Sequence, residues 1–83
     1  MCNMDKGLER FREIVALSSA ADAPSSDVHV LVRVGLAQAE LLLQETHGGV
    51  EPSLFLEILK GVSLLHVAGV MAAAELRPPF IVQ

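Results

Sequence analysis

The first stretch of the chain alternates apolar and charged residues with the period of a helix. Apolar side chains recur at intervals of three and four residues, at Leu8, Phe11, Ile14 and Val15, and the residues between them are mostly charged. This pattern predicts an amphipathic helix from about Asp5 to Ser19. The segment from Ala20 to Ser26 contains a proline and serines, which predicts a loop in which Ser25 or Ser26 caps the next helix.

The second segment, Asp27 to Thr46, carries two competing patterns. Valines at positions 28, 30, 32 and 34 alternate as they would in a strand. The residues that follow are strong helix formers, and polar residues keep helical spacing through both halves, at His29, Arg33, Glu40, Gln44 and His47. A helix is therefore favoured over a strand, and we expect Gly48 and Gly49 to end it.

The third segment predicts the longest helix. Pro52 suits a first helical turn, and Pro78 and Pro79 stop the helix after about Leu76. The residues after the prolines, Phe80 to Gln83, predict a short extended tail.

Two apolar stripes run along this third helix. The first, called the seam here, has coiled-coil spacing and consists of Phe55, Ile58, Val62, Leu65, Gly69, Ala72 and Leu76. The second, called the α3 stripe here, consists of Leu56, Leu59, Ser63, His66, Val70 and Ala73. One face can pack on the second helix of the same chain, and the other needs a second chain. We expect the seam to be the interface of a homodimer.

Composition supports association. The chain has 83 residues, of which 52% are hydrophobic, and a core of this size is only marginally sufficient for a monomer. We expect a single all-α domain spanning residues 1–83. It should combine a short N-terminal helix with an antiparallel hairpin of two long helices and assemble as a helical-bundle homodimer.

Charge and hydropathy bear on the partners. The net charge is −4 and the basic residues are scattered, which disfavours direct nucleic-acid binding. The uncharged run from Gly61 to Ala74 is shorter than the roughly 20 residues that span a membrane. Charges near the N-terminus interrupt any signal-like stretch. The expectation is a cytoplasmic protein that binds no membrane.

Candidate chemistry is sparse. Cys2 is the one cysteine, and His29, His47 and His66 lack the spacing of a metal site. No serine stands in a nucleophile elbow and no glycine cluster resembles a phosphate-binding loop. We expect no enzyme activity, cofactor, metal or small-molecule ligand.

The second half of the chain resembles the TraM-type antiactivators of bacterial quorum sensing, a group that includes QslA-like proteins. The resemblance rests on Ala39 to Gln44 (AELLLQ), the glycine pair Gly48 and Gly49, a long helix beginning near Leu54, and the ending Pro79 to Gln83. The chain differs from the family in its shorter N-terminal part and shorter glycine-containing linker.

The resemblance implies a helical homodimer that binds a LuxR-type transcription factor and blocks its dimerisation or DNA binding. Such an interface would be built around a few large anchors, for which Phe11, Ile14 and Val15 are candidates. These three residues could instead simply cap the core. Two other roles remain open: a secretion chaperone or toxin-neutralising partner, and a structural helical dimerisation module.

Overall fold

The computed structural model describes residues 3–46 and 49–76. Within them the chain forms three helices: α1 (Asn3–Ser18), α2 (Ser25–Glu45) and α3 (Pro52–Leu76). The prediction of an all-α fold, with a short first helix and two longer ones packed together, is confirmed. The second helix ends at Glu45 with Thr46 at its cap position, before the predicted glycine pair, of which Gly48 lies outside the described residues. The predicted tail from Phe80 to Gln83 lies outside them as well.

The valine-rich part of α2 is helical throughout. Burial along this helix follows a helical period, because Val28, Gly35 and Leu42 are buried at intervals of seven residues while Val30 and Val34 are exposed. Strong helix formers follow the valines, and the buried face keeps its helical spacing through both halves of α2. Both features favour a helix over a strand. The choice of helix over strand is therefore confirmed.

The start of α2 differs from the prediction. Pro24, in an extended conformation, occupies the cap position, and no side chain caps the helix. The first turn is closed by the Val28 amide, which donates to the Pro24 carbonyl at 3.0 Å. Ser25 is already helical, and its hydroxyl donates to Glu75 Oε1 at the end of α3. The prediction that Ser25 or Ser26 caps α2 was wrong, since a tertiary contact takes the Ser25 hydroxyl.

All three helices pack against one another. Gly35 of α2 lies against Leu65 of α3, and Val32 lies near Gly69, so α2 and α3 run in opposite directions. The side chains of Phe11, Leu42, Ile58 and Leu65 are fully buried at the centre. Burying each contributes about 1.5–3 kcal/mol relative to exposure. These four fully buried side chains come one from α1, one from α2 and two from α3, so every helix contributes to the centre of the core.

Candidate protein-binding surfaces

The seam of α3 packs on the chain's own helices. Ile58, Leu65 and Ala72 are buried, with Leu65 at 0% exposure, and Val62 packs against the same cluster. Phe55 is the exception, with 43% of its surface exposed. The buried members leave no surface for a second chain, so the seam cannot serve as the predicted homodimer interface in this fold. The sequence pattern located a real contact face but assigned it to the wrong partner.

The three anchors expected on α1 are core residues. Phe11 is 1% exposed, Ile14 is buried, and Val15 packs against the core cluster. Phe11 lies against Gly61, and Ile14 lies against Gly35. With their side chains inside the bundle, Phe11 and Ile14 offer no apolar surface to another protein. The positions of these three residues agree with the alternative interpretation, in which they cap the core of the chain's own bundle.

The α3 stripe is one part of the helix that the chain leaves uncovered, and Leu64, Val67 and Met71 are exposed beside it. Leu56 is 65% exposed and Val70 is 70% exposed. Leu59, Ser63, His66 and Ala73 are exposed as well, so all six members of the stripe face solvent. No member carries a permanent charge. Apart from Ser63 and His66 the stripe is apolar, and large exposed apolar patches mark protein or membrane contact sites.

The charged residues of α3 lie beside this stripe. Glu57 accepts two hydrogen bonds from the Arg12 guanidinium, at 2.5 Å from Nε and 2.9 Å from Nη2, and Glu75 accepts one from Ser25. The hydrogen bond from Arg12 lowers the pKa of Glu57 below its usual value, and the same bond raises the pKa of Arg12. Both carboxylates therefore point toward α1 and α2, whereas the exposed Lys60 lies beside Leu56, Leu59 and Ser63 of the stripe.

His66 is the most polar group on the stripe. Its Nδ1 lies 3.1 Å from the carbonyl oxygen of Val62, one helical turn back. Since a carbonyl oxygen only accepts, Nδ1 carries the hydrogen, and Nε2 of the neutral ring is then an acceptor. The exposed edge of the imidazole thus presents a hydrogen-bond acceptor to whatever covers the stripe.

A second exposed apolar surface lies on α2. Val30, Val34 and Leu41 are exposed, and Leu17 of α1 lines the same open groove as Val30. We call these four residues the α2 patch. The three α2 members are spaced by four and seven residues, which places them on one face of the helix. Sequence analysis missed this face because the strand-like alternation of the valines obscured its helical spacing.

No family model matches this chain, and neither a curated protein nor a solved structure matches it. The resemblance to quorum-sensing antiactivators therefore rests on the residues quoted above.

The third helix is also long and apolar enough, by length and composition, to cross a membrane. This applies to Pro52–Glu75, where only 17% of the most apolar window is buried inside the chain. One such helix is weak evidence, because core helices of soluble proteins and signal sequences pass the same test. The uncharged run from Gly61 to Ala74 understated the apolar length of α3, since a span tolerates a charge near one end. The predicted cytoplasmic location stays a prediction.

A small cavity of about 280 Å³ lies between the α1–α2 loop and α3. Two of the three serine hydroxyls that line it are engaged: Ser18 donates to the Val15 carbonyl and Ser25 donates to Glu75. Across residues 3–46 and 49–76, no three His, Cys, Asp or Glu side chains approach closely enough to hold a metal ion. The two exposed apolar surfaces are the stronger candidates for a functional site.

Proposed function

We propose that this chain is a non-catalytic helical binding protein that forms a homodimer through the α3 stripe and captures another protein through the α2 patch. The observation that carries the proposal is the exposure of the stripe, where Leu56 and Val70 keep about two thirds of their surface in water. Covering water-exposed leucine and valine side chains with a second apolar surface lowers the free energy of the system.

The size of this gain sets the expected strength of the dimer. Covering Leu56, Leu59 and Val70 is worth roughly 1–2 kcal/mol each, since each is already partly buried. Two chains together gain about 6–12 kcal/mol, against an association cost of about 4 kcal/mol or more. At that lowest cost the surplus is about 2–8 kcal/mol, which corresponds to a weak dimer with a Kd between roughly tens of millimolar and about 1 μM.

The proposed partner is a LuxR-type transcription factor, as the resemblance implies. Once the α3 stripe is occupied by a second copy, the α2 patch is an apolar surface that stays free, as do the exposed Leu64, Val67 and Met71 of α3. It takes over the role first expected of Phe11, Ile14 and Val15. In this proposal the dimer covers a surface that the transcription factor needs for its own pairing and so lowers its DNA binding.

The test measures the molecular mass by light scattering, first for the protein alone and then for the protein mixed with the ligand-binding domain of a LuxR-type regulator. We expect twice the chain mass of 8.9 kDa for the protein alone and a defined mixed complex with the regulator. Val34→Glu should keep the dimer and lose the complex, because it places a charge on the α2 patch alone. Glu40→Ala, on the exposed polar side of α2, is the matched control and should change neither.

Other outcomes reject specific parts of the proposal. A dimer that ignores the regulator removes the antiactivator role and favours an assembly module. A chain that aggregates without a client favours a chaperone. Flotation of the protein with phospholipid vesicles, together with a monomeric mass in solution, would assign the apolar surface of α3 to a membrane.

A further inference from the structure

We draw no further inference here: the strongest candidate, the exposed apolar surface that Leu64, Val67 and Met71 of α3 form along the small cavity beside the α1–α2 loop, is unpartnered, and nothing in the structure shows what covers it.

Discussion

The ring of Phe11 fills the space that a β-carbon on Gly61 would need, with the Phe11 Cζ atom only 2.5 Å from that position. Phe11 is 1% exposed and Gly61 is buried, so this contact sits inside the bundle, between α1 and α3. A glycine here allows the aromatic ring to pack directly on the backbone of α3. The close approach of these two helices therefore depends on a missing side chain.

Replacing Gly61 should weaken the fold. In Gly61→Ala the new methyl group meets the Phe11 ring, and the overpacking should cost about 1–3 kcal/mol. Urea unfolding, monitored by circular dichroism, measures the change in the free energy of unfolding. Alanine is the better helix former, so an unchanged or higher midpoint would mean that α1 does not pack on α3 at this position.

Gly69→Ala provides the matched control on the same helix. A β-carbon at position 69 would lie 3.6 Å from Val32, an ordinary van der Waals distance. We expect this variant to be as stable as the wild type or more stable by about 0.5–1 kcal/mol, because glycine is entropically costly inside a helix. A loss equal to that of Gly61→Ala would assign the effect to helix chemistry rather than to packing.

The seam and the α3 stripe should respond differently to charge. Leu65→Asp places a carboxylate at a fully buried position, and we expect loss of cooperative unfolding, because an unpaired buried charge costs an amount comparable to the whole stability. Val70→Asp adds the same charge at an exposed position and should retain helical circular dichroism while the mass falls from dimer to monomer. A folded Leu65→Asp dimer would reverse the assignment of the two faces.

The ion pair between Arg12 and Glu57 should make stability depend on pH. The hydrogen bond from Arg12 lowers the pKa of Glu57 in the folded chain. The pair therefore stabilises the fold fully above the unfolded-state pKa of about 4.5, and its contribution is lost as the pH falls through the lower folded-state value. Glu57→Gln should lower the unfolding temperature slightly at pH 7 and not at about pH 2.5.

A double-mutant cycle isolates this contribution. Arg12→Gln should show the same pH profile as Glu57→Gln, and the double variant should lose little more than either single variant. The effect is small because both side chains are partly exposed, with 58% and 36% of their surfaces accessible. Additive losses would show that the two side chains act independently.

Helix positions could be predicted from sequence because they depend on local patterns. The three- and four-residue spacing around Phe11 located α1, and Pro52 marked the start of α3. The role of each face of α3 could not be predicted in the same way. The seam and the α3 stripe have the same spacing and similar leucines, so periodicity alone does not say which one turns inward.

The positions of two glycines determine which face of α3 is buried in the bundle. Gly61 adjoins the seam, and Gly35 of α2 lies directly against Leu65, so the seam side permits close approach of both neighbouring helices. That information is carried by pairs of residues on different helices and does not appear in the pattern of any one segment. For the same reason the sequence pattern did not predict the hydrogen bond from the Ser25 hydroxyl to Glu75, because the two residues are distant in sequence.

The contact between Ser25 and Glu75 joins the first turn of α2 to the last turn of α3. The carboxylate of Glu75 also brings negative charge to the positive end of the α2 dipole, which Pro24 leaves without a side-chain cap. The beginning of one helix is thus completed by the end of another. These two turns should consequently unfold and refold together as one unit of local unfolding. A partner that binds the end of α3 should therefore also stabilise the first turn of α2, which precedes the α2 patch along the helix.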